Sequence, residues 1–286
     1  MLERNYPNIG NKALVFLHIP KTGGTSLHNM LVGYYEKSEV CPERFNNLDK
    51  WDQEQLKSFR YFSGHYDRHQ VSLIPREKFI ITMLREPKSR ILSLYYFWRA
   101  HRHEAIEKNN LGGPRIAKRL SLIDFLRYAN EGIPGNIDNI LCRSLIGKLY
   151  VGPNREYLFP DDEVVDRAKA ALDSFDAFGV VEHVEQSFGR IFSKLGLPAP
   201  DKIPHERDHR SFANQPNLEF VEKEEITPDI EAELDRLTDK DRILYGYALE
   251  KFSKNNARTC SDSQDSSGGL KGFFSIFKNK LGPKRF

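Results

Sequence analysis

Between residues 20 and 26 the chain reads Pro20-Lys21-Thr22-Gly23-Gly24-Thr25-Ser26, and these residue types share one chemistry. Lys21 is a mobile cation, while Thr22, Thr25 and Ser26 carry hydroxyl donors. Gly23 and Gly24 let a backbone wrap closely around an anion. The strand-like run Leu14-Val15-Phe16-Leu17-His18-Ile19 precedes them and a helical pattern follows. This is the layout of a phosphate-binding loop. The helix's opening turn adds unpaired N–H groups and a positive dipole end, typically worth ~0.3–1 kcal/mol to a nearby anion. Nucleotide-triphosphate loops end Gly-Lys-Ser/Thr, with the hydroxyl holding magnesium. Here the lysine precedes the glycines and no recognisable acidic metal partner ends a later strand, so the loop suits a nucleotide handled without a metal. The competing reading is a Gly-Gly turn that is mere structure.

A second candidate clamp follows Lys78-Phe79-Ile80-Ile81-Thr82-Met83-Leu84, a short apolar run that reads as a buried strand. Arg85 stands at its exit, and Pro87 suits the first turn of the helix that follows. Ser89 and Ser93 share one face of that helix. An arginine at a strand's carboxyl end beside a serine on the next helix makes a phosphate clamp. Alternatively Arg85 pairs with Glu86 or another carboxylate and the serines are solvated.

Together the two segments resemble the sulfotransferases that use 3′-phosphoadenosine 5′-phosphosulfate (PAPS), especially the carbohydrate branch with the uronyl and heparan 2-O-sulfotransferases. The resemblance rests on Pro20 to Ser26 and on Arg85 to Tyr96, which reads Arg-x-Pro-x-x-Arg-x-x-Ser-x-Tyr-Tyr. Arg60-Tyr61-Phe62-Ser63-Gly64-His65 is similar to the family's strand ending Gly-His. Softer likenesses are Asp138-Asn139-Ile140-Leu141-Cys142-Arg143 and the closing helix from Asp241 to Ala248, so the similarity spans residues 12–253. It implies that Lys21, Thr22, Gly23, Gly24, Thr25 and Ser26 grip the 5′ end of the donor. It implies that Arg85 and Ser93 hold the 3′-phosphate, that His65 is the base, and that Arg210 lies in a loop over the nucleotide, the alternative being that His205 to Arg210 is a solvated charge run. The co-substrate so implied is PAPS, with no metal.

Sulfuryl transfer needs the acceptor hydroxyl's proton removed as the new S–O bond forms. A neutral imidazole near its ordinary pKa of ~6.5 suits that task and typically contributes ~10²–10⁴-fold. Lys21 and the loop N–H groups would stabilise the leaving phosphate. His69 is the fallback base, and an ordinary half-buried histidine is the bland alternative. The close pairs His65/His69, His101/His103 and His205/His209 lack the cysteine or carboxylate company of a zinc site. The basic stretch from Lys88 to Lys108 reads equally as an acceptor groove for an acidic sugar or as a solvated helix face.

The elements that must position these groups alternate strand and helix, which predicts an α/β fold: one P-loop-like parallel sheet flanked by helices, binding at the strands' carboxyl ends. Helices are expected over Thr25–Tyr35, from Ser121, over Asn136–Ile146, over Val164–Phe175 and from His183, with another strand at Ala177–Val181. Residues 197–226 read as a long loop, Thr227-Pro228 as a helix start, and Asp239–Phe252 as the last packed helix. The 286 residues suit one sizeable core, so 1–254 is expected to be a single domain. Residues 255–269 read as a flexible linker, and 270–286 as a basic amphipathic helix or a disordered tail.

A net charge of +3 is too small to imply nucleic-acid binding. Three cysteines, odd in number and far apart, argue against a disulfide framework and fit a reducing compartment. No apolar run approaches the ~20 residues of a membrane span, so a cytoplasmic protein is expected, with peripheral membrane or partner contact open to the tail. The expected activity is PAPS-dependent transfer to a hydroxyl-bearing acceptor, a carbohydrate. The rivals are a P-loop nucleotide kinase and a non-catalytic nucleotide- or glycan-binding module.

Overall fold

The computed structural model describes residues 6–128, 133–147, 150–151, 156–157, 160–203 and 215–264. In chain order the first elements are β1 (Ala13–Leu17), α1 (Gly24–Val32), α2 (Gln53–Ser58), β2 (Tyr61–Gly64), α3 (Arg68–Ser72), β3 (Lys78–Leu84) and α4 (Pro87–Arg99). Short helices follow: α5 (His103–Lys108), α6 (Gly112–Arg119), α7 (Leu122–Arg127), α8 (Pro134–Ile137) and α9 (Ile140–Ile146). A small antiparallel pair, β4 (Tyr150–Val151) and β5 (Glu156–Tyr157), leads to α10 (Asp161–Asp173), β6 (Ala177–Val180) and α11 (Val184–Lys194). Then come α12 (Pro228–Leu237) and α13 (Asp239–Gln264). By contacts the chain divides into Met1–Leu249 and Glu250–Phe286.

Four strands lie in the order β2-β1-β3-β6, every neighbouring pair parallel, so the α/β sheet is as expected. Each residue of β1 is fully buried, because parallel strands covered on both faces need apolar side chains in both directions. Leu14 and Phe16 join Leu27 and Leu31 of α1 and Phe188 and Ile191 of α11 in one core. A second core gathers α4, α6, α7 and α12 around Tyr95, Phe125 and Leu234.

The register of β1 sets the geometry of everything at the sheet's carboxyl edge. Leu17 stands opposite Gly64 of β2 on one side and Thr82 of β3 on the other. Thr82 Oγ1 donates to the Leu17 carbonyl at 2.8 Å, and the His18 N–H donates to the Gly64 carbonyl at 2.9 Å. Strand order reverses between β1 and β3, the switch point at which open α/β sheets form their ligand crevice.

Two helix boundaries differ from the expected ones. The helix foreseen over Asn136–Ile146 is interrupted where Asn139 turns left-handed (φ 44°), giving α8 and α9. The helix foreseen to end at Phe252 runs on to Gln264, through the start of the segment read as a linker. No glycine or proline occurs between Phe252 and Gln264 to stop it. The tail from residue 270 lies outside the described residues.

The break at Asn139 has a structural use. Its side-chain carbonyl accepts the N–H groups of Lys240 and Asp241, both at 3.0 Å, at the start of α13. Asp241 in return accepts the N–H groups of Leu141 and Cys142 at the start of α9, at 2.9 and 2.8 Å. Each helix thus caps the other. Burial pushes the Asp241 carboxyl up to about 6, against the two N–H donors and the nearby Arg90 charge. Arg90, itself buried, donates from Nη2 to the Asn136 carbonyl at 2.7 Å and so ties α4 to α8. The two softer sequence likenesses therefore meet in one buried polar knot.

Asn139→Ala removes two accepted hydrogen bonds and leaves the left-handed turn to a residue that tolerates it less well than Asn, for an expected loss of about 2–4 kcal/mol. Asn139→Gly loses the bonds but keeps the turn, so its loss should be about 1 kcal/mol smaller. Urea midpoints of the two variants and the parent test this order.

Candidate functional site

The loop after β1 is held by its own turn. Gly23 is left-handed (φ 72°), as is Lys21 (φ 69°), an uncommon state for a residue with a Cβ. Thr22 is buried and its hydroxyl donates to the Ile19 carbonyl at 2.8 Å, so that side chain serves the turn rather than the cavity. Gly24 has a task beside the one read in the sequence. A Cβ there would lie 2.3 Å from the His18 ring and 2.8 Å from Phe16 Cζ. The His18 ring is stacked on Phe16, centroids 5.0 Å apart, directly against the start of α1. Gly24 thus makes room for His18 as well as for any ligand.

A cavity of ≈ 520 Å³ opens over this edge, within the ~300–1,000 Å³ range of ligand sites. Lys21, Gly23, Gly24, Thr25 and Ser26 line it from the loop and α1. Arg85 at the β3 exit and Ser93 on α4 line it from the other side, and His65 from the β2 exit. Lys21 Nζ rests 3.8 Å from the centroid of the Phe97 ring, a cation–π contact. Arg85 Nη1 reaches the Lys21 carbonyl at 3.3 Å, joining the two clamps. Burial lowers the Arg85 pKa, with Glu182 and Glu86 acting the other way. Glu86 is occupied elsewhere: its carboxylate caps α4 through the N–H groups of Lys88 and Ser89, at 3.1 and 2.7 Å.

His65 is fixed by the neighbouring strand. Its N–H donates to the Arg44 carbonyl at 2.7 Å, and its Nδ1 lies 2.7 Å from the His18 carbonyl. A carbonyl only accepts, so Nδ1 carries the hydrogen and Nε2 is the basic nitrogen. His65 also lines a second cavity of ≈ 250 Å³ with Asn46, Asp67, Asn136, Arg143 and Ser144. The imidazole therefore borders both spaces. His69, the fallback, is exposed on α3 and lines neither.

Two further groups in the larger cavity escaped the sequence reading. His28 on α1 and Arg44 in the loop before β2 face each other, with Arg44 Nη1 2.6 Å from His28 Nε2. A guanidinium only donates, so the neutral ring receives Arg44, whose Nη1 stands closer to Nε2 than to Nδ1 (3.2 Å), and Tyr61 Oη lies 3.2 Å from Nδ1. Burial first, then the Arg44 charge, pushes the His28 pKa down to about 4. His28 follows Gly24 by one helical turn, a spacing visible in the sequence. Nothing local marks Arg44, whose place depends on the fold.

The basic stretch from Lys88 to Lys108 divides: Arg90 is buried, Lys88 and Arg99 are half-buried, and Arg102 and Lys108 are exposed. Lys88 pairs with Glu231 and, at 2.8 Å, with Asp235 of α12. Arg99 donates to the carbonyls of Ala117 and Leu120, and Arg102 to that of Leu218. Arg210 lies outside the described residues. Among the described residues no grouping of three or more His, Cys, Asp or Glu is arranged to hold a metal ion, and no helix is long and apolar enough to cross a membrane.

Gly24→Ala should displace His18, costing about 1–3 kcal/mol of stability by overpacking and weakening anion binding at the loop. Thermal unfolding with and without adenosine 3′,5′-bisphosphate measures both effects. His28 makes stability depend on pH. Between pH 6.5 and about 4 the unfolded chain binds a proton at this residue that the native state refuses, so stability falls as pH falls through that window. His28→Gln should flatten this slope in denaturant titrations from pH 7 to pH 4.

No curated protein matches the chain at a significant level. The family model described as the sulfotransferase family matches residues 9–140, a stretch that holds the loop after β1, the β2 exit with His65, and the β3 exit with Arg85. The match supports a sulfotransferase, an enzyme that transfers a sulfuryl group.

Proposed function

We propose that the chain transfers a sulfuryl group from PAPS to a hydroxyl of a carbohydrate. The observation that carries this reading is the meeting of both anion-binding segments and His65 in one cavity at the sheet's switch point. A donor with a phosphosulfate at one end and a 3′-phosphate at the other needs cationic groups at two separated places. Lys21 with the loop, and Arg85 with Ser93, meet that need. The smaller cavity across His65, lined by Asn46, Asp67, Arg143 and Ser144, suits a polyhydroxylated acceptor that exchanges hydrogen bonds with polar side chains.

In this reading the acceptor hydroxyl approaches from the smaller cavity and gives its proton to His65 Nε2. Its oxygen bonds to sulfur as the S–O bond to the 5′-phosphate breaks, and the leaving phosphate oxygen keeps the electron pair. Lys21 leaves its rest on Phe97 to meet that charge, and the N–H groups at the start of α1 add to the stabilisation. The His18 carbonyl holds the imidazole in the tautomer that accepts at Nε2.

Adenosine 3′,5′-bisphosphate should bind the purified chain in calorimetry, and labelled sulfate should pass from PAPS to members of a glycan panel. His65→Ala should retain bisphosphate binding and lose turnover by about 10²-fold or more. Lys21→Ala should lose turnover by a similar factor. A parent chain without affinity for the bisphosphate would remove the assignment, and a fully active His65→Ala would remove the base.

A further inference from the structure

Arg44 belongs to neither anion-binding segment, yet it lines the larger cavity at the end where His65 stands. Its carbonyl accepts the His65 main-chain N–H at 2.7 Å, so the two backbones lie side by side. Its Nη1 is engaged by His28, one turn along α1 from the loop. A guanidinium has five N–H donors in a rigid planar fork, and His28 occupies one arm.

The partner's chemistry matters. A carboxylate beside Arg44 would neutralise it, whereas a neutral imidazole orients the fork and leaves its charge intact. Burial and Arg44 itself keep His28 neutral, with its pKa near 4. Among the described residues no carboxylate pairs with the Arg44 guanidinium. The cavity thus carries a third cation besides Lys21 and Arg85. Arg85 and Ser93 line it from the β3 exit and α4, whereas Arg44 approaches from the β2 exit, beside the base.

We propose that Arg44 is a catalytic residue that binds the transferring sulfuryl group, and that His28 is the positioning residue that holds its guanidinium at the cavity wall. The inference rests on the sulfuryl-transfer reading above. The main-chain bond sets Arg44 beside His65, which must reach the acceptor oxygen that bonds to sulfur. Arg44 also lines the same cavity as His65 and the loop after β1, where this reading puts the sulfuryl end of the donor. The three non-bridging sulfuryl oxygens share negative charge throughout the transfer, and a planar fork of N–H donors matches two of them. No proton moves at Arg44: the acceptor proton goes to His65 and the electron pair to the leaving phosphate.

PAPS and adenosine 3′,5′-bisphosphate differ by the sulfuryl group alone, so comparing their binding to the full chain isolates the Arg44 contact without any acceptor. Arg44→Ala should weaken PAPS by about tenfold or more while bisphosphate stays within about twofold, and Arg44→Lys should recover part of the loss. His28→Ala should shift PAPS alone, by a smaller factor. Equal losses for both ligands, or none for either, would overturn the role of Arg44 while leaving the nucleotide site standing. Failure of the parent chain to bind either ligand would instead remove the sulfuryl-transfer reading, and this inference with it.

Discussion

The hydrogen bonding of β1 on both edges at once, to β2 and to β3, is the constraint from which the site follows. Parallel strands all deliver their carboxyl ends to the same edge of a sheet. With Leu17 in register with both Gly64 and Thr82, the loop after β1 has His65 on one flank and Arg85 on the other. Three stretches far apart in the chain are thereby brought around one cavity. Shifting a register by one residue would exchange the side chains packed against the two helical layers, so the packing that stabilises the sheet also fixes the site.

Side-chain and main-chain contacts then refine what the sheet has brought together. The His18 carbonyl orients His65, while the His18 ring, stacked on Phe16, depends on the missing Cβ of Gly24. The Lys21 carbonyl receives Arg85, and the Arg44 carbonyl receives the His65 N–H. Backbone carbonyls thus connect the cations and the base, and among the described residues no Asp or Glu lines the larger cavity. Cations elsewhere are treated differently: Lys88, Arg99 and Arg102 are absorbed by carboxylates and carbonyls of the second core layer. The overall net charge of +3 therefore says little about where positive potential is available.

Behind the site, the reciprocal capping of α9 and α13 does for the helical layer what strand register does for the sheet. Asn139 and Asp241 each satisfy main-chain donors of the other's helix, and Arg90 adds a tie from α4 to α8. Arg143, on α9, pairs with Asp138 and lines the smaller cavity. The knot thus sets the wall opposite His65.

The sequence by itself determined the four strands of the parallel sheet, the loop after β1, and the places of Arg85 at a strand exit, Ser93 on the helix after it and His65 at a strand end. Those features are local: apolar runs, a Gly-Gly turn and a proline at a helix start have the same meaning wherever the chain goes. Helix ends were less legible, because the break at Asn139 answers to Asp241 and Lys240 about a hundred residues away. Only the tertiary structure decided that Thr22 serves its turn, that Gly24 accommodates His18, and that Arg90 is buried while Lys88, Arg99 and Arg102 find partners on other elements. It alone joined His28 to Arg44, since a loop arginine acquires a neutral partner and a cavity through strand pairing and not through its neighbours in sequence.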